Sequence, residues 1–146
     1  MRSTASIRGH PLHPSLIPFA FAFLWGAFVF DAAGRLFARP GWGATGFHLA
    51  LAGIATALVA ALPGVVDYLR TVPPESSARE RATRHLLLNL TTVVLFAIAA
   101  WLRKSGSVPP TVAVLGLEAV GVALLTLAGY LGGTLVTRNQ ISVDHR

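Results

Sequence analysis

Cysteine is absent from the 146 residues, so the chain by itself offers no disulfide, no thiolate zinc site and no iron–sulfur ligation. Charge is scarce too. Asp, Glu, Lys and Arg make up 12% of residues, about half the share found in soluble domains, which excludes an ordinary water-soluble fold. Acidic residues number six against twelve Lys and Arg. The excess base forms no stripe with interleaved aromatics, so nucleic acid is not the expected partner. Without thiolates, any metal or haem bound here leans on the five histidines.

What the chain does have is apolar length. Hydrophobic residues reach 53% and the mean hydropathy is +0.62, gathered in four runs. These extend from about Ser15 to Phe37, Ala44 to Val66, Thr83 to Leu102 and Pro110 to Val136. Each is near or above the ~20 residues that cross a bilayer core at about 1.5 Å per residue. The first run exceeds the ~7–15 apolar residues of a cleavable signal. It is closed by Asp31-Ala-Ala-Gly-Arg35 without a small-residue cleavage site, so it is expected to be retained.

Short turns at Ala38-Arg-Pro-Gly-Trp-Gly43 and Arg103-Lys-Ser-Gly-Ser-Val-Pro-Pro110 pair spans one with two and three with four as antiparallel hairpins. The predicted fold is an all-α, four-helix transmembrane bundle made of two hairpins, one domain over 1–146. The hairpins show no sequence repeat. The longer middle loop contains Pro73-Pro74, then Ser77 with Glu80 three residues on, a capping-box pattern that starts the third helix about two turns before His85. Eight arginines (Arg2, Arg8, Arg70, Arg79, Arg81, Arg84, Arg138 and Arg146) lie on the side of the termini and middle loop. Arg35, Arg39, Arg103 and Lys104 lie on the other. The positive-inside rule then places both termini in the cytoplasm of a bacterial inner membrane.

Small residues mark the expected helix seams. In the second span these are Gly46, Ala50, Gly53, Ala57, Ala60 or Ala61, and Gly64. In the fourth they are Gly116, Ala119, Ala123 and the Gly129, Gly132, Gly133 group. Close helix packing is the plain explanation, and room for a flat cofactor the functional one. Two spans carry such faces on more than one side, so a homo-oligomer is expected.

Ionisable residues at membrane depth are costly unless they face a bundle interior, water or one another. His10 and His13 each precede a proline, which predicts an extended segment with Pro14 near the first helical turn. His85 shares a helix face with Arg81, Asn89, Thr92 and Phe96. Asp67 and Tyr68 close the second span, where Asp67 has Arg70 within local reach. The topology carries His10, His13, Asp67, His85 and the segment from Gly132 to Arg138 to the same end of the bundle. Three imidazoles and a carboxylate suit a transition metal (His10, His13, Asp67 and His85), and two imidazoles from different helices suit haem b (His13 and His85, with Asn89 beside them). Towards the opposite face lie Asp31, with Arg35 one turn on as a local partner, and His48 and Glu118. Glu118 lies about 12 Å inside if its helix begins near Pro110, and Asp31 or His48 is its expected partner.

Gly9-His-Pro-Leu-His-Pro14, Phe30-Asp31, Leu62-Pro-Gly-Val-Val-Asp-Tyr68, His85-Leu-Leu-Leu-Asn89 and Gly129-Tyr-Leu-Gly-Gly-Thr-Leu-Val136 together resemble the bacterial membrane family called domain of unknown function 2231. The resemblance spans nearly the whole chain and implies a four-helix inner-membrane domain. Some members carry a Rieske-type domain, which implies electron transfer but no defined activity. Where relatives have a histidine in the tail, this chain has Asn139 within Thr137-Arg-Asn-Gln-Ile-Ser-Val143.

Two functions stand at this level. One is a haem- or metal-binding electron-transfer module with a redox partner protein. The other is a non-catalytic membrane subunit that docks a partner, its polar cluster fixing helix packing. Visible absorption and metal analysis separate them. Four short spans without a pseudo-repeat or broken midplane helix argue against a monomeric secondary transporter.

Overall fold

The computed structural model describes residues 1–106 and 109–143. Part of the turn between the third and fourth helices, and Arg146 of the charge count, lie outside the described residues. Four helices carry the fold: α1 Leu12–Leu36, α2 Pro40–Arg70, α3 Ser77–Arg103 and α4 Val112–Thr137. All four are long and apolar enough to cross a membrane. No more than 33% of any span's apolar window is buried within the chain, so most of that surface faces outward, as lipid requires. α1 packs closely on α2 and α3 on α4, and the two hairpins touch each other less.

The boundaries follow local chemistry. A short hairpin, β1 Ser6–Ile7 with β2 His10–Pro11, precedes the bundle and turns through Arg8 and Gly9, both at positive φ, the backbone of a two-residue hairpin turn. His10 is extended as predicted. His13 is not: α1 starts at Leu12, whose N–H donates to the Ala5 carbonyl at 3.0 Å. Pro14 is tolerated there because the first N–H groups of a helix have no intrahelical acceptor to lose.

The third helix begins with Ser76, not Ser77, as its cap; the Ser76 Oγ accepts from the Arg79 N–H at 3.1 Å. Thr111 Oγ caps α4 in the same way, on the Val114 N–H at 3.2 Å. The expected α2 seam is present: a Cβ at Gly46, Gly53 or Gly64 would collide with Asp31, Leu24 or His13 of α1. On α4 the first half of the seam is rotated from the expected one, while Gly132 packs against His85 as expected. Gly116 and Ala123 are exposed, while Val114, Glu118, Gly121, Leu125 and Ala128 are buried. Small size alone misled there, because larger residues fill the seam where no close backbone approach is needed.

Leu24, Ala27, Ala50, Phe96, Val122 and Leu125 form the central core. A second cluster of Val72, Ala78, Ala82, Leu135 and Ile141, backed by Tyr68, closes the end that holds both termini.

Candidate functional site

Between the hairpins, towards that same end, is a cavity of about 390 Å³ with walls from all four helices, within the usual range for small-ligand sites. Its lining is almost wholly apolar, and exposed Leu58 and Leu90 on its rim join it to the outer apolar surface. Its polar lining includes His13, His85, Asn89 and Asp67.

The two imidazoles are held by identical devices. His13, on α1, donates from Nδ1 to the Ala60 carbonyl of α2 at 2.8 Å. His85, on α3, donates from Nδ1 to the Ala128 carbonyl of α4, also at 2.8 Å. A carbonyl only accepts, so each Nδ1 carries a proton, and Nε2 is the ring nitrogen that remains to take a metal or a second proton. Each ring leans on a glycine one helical turn beyond the carbonyl it uses. A Cβ at Gly64 would sit 2.8 Å from His13, and one at Gly132 would sit 3.0 Å from His85. The ring centres are 6.0 Å apart with planes at 89°. Asn89 donates from Nδ2 to the His85 carbonyl at 2.8 Å and lies 3.2 Å from His85 Nε2.

This matching extends along the bundle. The spacing that relates His13 to His85 also relates Leu24 to Phe96, Ala27 to Ala99 and Asp31 to Arg103. The spacing that relates Ala60 to Ala128 also relates Gly53 to Gly121 and Gly64 to Gly132. The contacts repeat with the residues: Gly53 makes room for Leu24, and Gly121 for Phe96. The hairpins are therefore two copies of one packing scheme, side by side and running the same way. This corrects the expectation of no repeat. Only the few positions where side chain meets glycine or carbonyl are constrained, and identity elsewhere has no packing reason to persist.

Of the other expected site residues, Asp67 also lines the cavity but is bonded to neighbouring groups, and His10 is not in the lining. His10 is exposed in β2. Asp67 accepts from Ser3 Oγ at 2.6 Å, from the Ala5 N–H at 3.1 Å and from Thr71 Oγ1 at 3.0 Å. Its carboxylate thus pins the N-terminal segment over the end of α2 and does not pair with Arg70. Asn139 accepts from Arg81 at 2.7 Å and donates to Ser77 Oγ at 3.3 Å, tying the tail to the start of α3. Among the described residues no group of three or more His, Asp or Glu side chains is gathered as a metal shell.

At the far end, Asp31 does not pair with Arg35, which instead donates to the Pro110 carbonyl at 3.2 Å. Its partner is Arg103, at 2.6 Å, whose other amino group donates to the Gly43 carbonyl at 2.7 Å. Both side chains are almost completely buried. The Glu118 carboxyl lies within hydrogen-bond reach of Asp31, whereas His48 is exposed and bonded to the Ala44 carbonyl. Arg103 was counted as a loop charge in the sequence. The signal that places it inside is periodicity: Thr92, Phe96, Ala99 and Arg103 recur on one helix face, and all four are buried.

Four apolar helices in two like hairpins, with an imidazole pair between them, define a polytopic integral membrane protein. A family model described as "Predicted membrane protein (DUF2231)" matches residues 9–145, and the chain belongs to that family. No curated protein and no solved structure matches it.

Proposed function

We propose that His13 and His85 are paired ligands of one redox group in the cavity, and that the protein is an electron-transfer module of the bacterial inner membrane. The observation that carries this reading is the matched pair of Nδ1–H···O=C bonds. Metal-binding histidines are oriented by this kind of bond from the other ring nitrogen, and here two such rings share one apolar cavity. Metal–nitrogen bonds of about 2 Å put the centres of two imidazoles sharing an ion roughly 5–6.5 Å apart, a range that includes the observed 6.0 Å.

With two imidazoles and, among the described residues, no group of three or more His, Asp or Glu gathered as a shell, the donor set fits haem b better than a four-ligand metal shell. Haem brings its own equatorial nitrogens and supplies one-electron chemistry. His13 and His85 would hold it, Gly64 and Gly132 set the ring positions, and the apolar walls exclude water. Electrons would pass to a redox partner protein, and the exposed small residues Gly116 and Ala123 of α4 offer a face for self-association in the bilayer.

Protein purified from cells supplied with haem and transition metals, without chelators, is expected to show a Soret band or stoichiometric metal. His85→Ala should abolish that signal in protein that remains folded, and Asn89→Ala should reduce it less. One contact bears on a structural role for His85, as in the second reading of a docking subunit: the Asn89 amide lies 3.2 Å from Nε2, the nitrogen a ligand would use. Wild-type protein with neither haem nor metal, destabilised by His85→Ala, would establish that reading.

The orientation rests on the arginine asymmetry, and burial of Arg103 against Asp31 strengthens it by removing one exposed charge from the Lys104 side. Reporter fusions at Lys104 and at the C-terminus are expected to report opposite sides of the membrane, the C-terminal one cytoplasmic. The same side for both would remove the four-span arrangement.

A further inference from the structure

At the charged end the repeat sets unlike residues in corresponding positions. Where α1 has Asp31, α3 has Arg103, and where α2 has Ala50, α4 has Glu118. Asp31, Arg103 and Glu118 are 0%, 3% and 1% exposed. The Asp31–Arg103 ion pair is already neutral, so Glu118 adds to a dry interior either a second, uncompensated negative charge or a proton. An isolated charge there is very costly.

The hydrogen-bond geometry selects between them. Among the described residues, Asp31 Oδ1 and Glu118 Oε2 are fully buried and have no donor, although the two carboxyls lie within hydrogen-bond reach of one another. Two ionised carboxylates offer only acceptors and would repel. One proton between them supplies the missing donor and leaves the three-residue cluster neutral. We infer that Asp31 and Glu118 form a one-proton binding site, a carboxylic acid–carboxylate pair anchored by Arg103.

Two further polar groups at this end of the bundle are committed elsewhere. Arg35 of α1 is bonded to the Pro110 carbonyl, and His48 of α2 is exposed and bonded to Ala44. Gly46 of α2 allows a close approach to Asp31: a Cβ there would lie 2.1 Å from Oδ1. Asp31 is five residues from the end of α1, about one and a half turns from the Lys104-side surface. The Leu24, Ala27 and Phe96 core separates it from the imidazole pair. The proton therefore exchanges with the Lys104 side and not through the bundle.

Infrared spectroscopy of the full-length protein in lipid at neutral pH tests this. The expected result is one protonated-carboxyl C=O band that shifts in heavy water and is lost in Glu118→Gln. That variant should keep wild-type thermal stability, because its amide donates to Asp31 as the acid does. Should Glu118→Gln fail to fold, wild-type protein made with carboxyl-¹³C aspartate or glutamate reads the same point. The band must then shift with one of the two labels. Absence of the band from wild type, or its persistence in folded Glu118→Gln, would overturn the proton site.

Discussion

Arg103→Ala is expected to be among the most damaging single substitutions in the chain. Its guanidinium holds Asp31 and the Gly43 carbonyl in a dry interior, and removing it leaves a buried carboxylate facing a second carboxyl. Breaking a buried pair from one side costs about 3–5 kcal/mol, which should appear as a large drop in thermal midpoint in detergent and as poor accumulation in membranes. Replacing both partners is expected to cost much less, because an ion pair exchanged for apolar packing is often neutral. The double variant Asp31→Ala, Arg103→Leu should thus be more stable than Arg103→Ala alone. Equal instability of the two would show that Arg103 acts through Gly43 and the turn, not through Asp31.

Gly46→Ala should be comparably severe despite adding a single methyl group. The new Cβ would fall 2.1 Å from Asp31 Oδ1, 2.6 Å from its Cγ and 3.0 Å from the Ala27 carbonyl. Overpacking in a core typically costs about 1–3 kcal/mol, and here the obstructed group cannot yield without releasing Arg103. Gly116→Ala is the matched control, because nothing lies within 4 Å of a Cβ at that position. There the reduced freedom of the unfolded chain should stabilise α4 by about 0.4–1 kcal/mol. Thermal unfolding of the two variants side by side measures the difference, and a Gly46→Ala protein as stable as wild type would mean that α1 and α2 separate easily at this point.

The helices were legible in the sequence because lipid imposes a long apolar run on any segment that crosses it, and four such runs are unmistakable. Their pairing into hairpins followed from two short turns. The meeting of His13, His85 and Asn89 was legible too, since topology sends the starts of α1 and α3 to the same end. The partners of charged groups were harder to read. Arg35 and Arg70 were near in sequence to Asp31 and Asp67, but the 2.6 Å bond of each aspartate comes from a group more than sixty residues away in the chain. Local spacing proposes partners on the same helix, whereas the bundle brings together residues from opposite ends of the chain. The first half of the α4 seam escaped for a related reason: side-chain size does not reveal which face is turned inward when all faces are apolar.

The likeness of the two hairpins has a consequence for how such a protein can vary. In a dimer of two separate, identical hairpins, every position facing its counterpart would meet its own duplicate. The place of Asp31 and Arg103 would then hold two carboxylates or two guanidiniums, each repelling the other in a dry interface. Linking the halves in one chain lifts that constraint, because each copy mutates alone. One end of the bundle uses this freedom to set opposite charges against each other, and to place Glu118 where the other copy has Ala50. The other end keeps the duplicate, with His13 and His85 held in the same way. Covalent fusion thus allows a molecule that is symmetric at one membrane face and complementary at the other, which no association of identical hairpins could achieve.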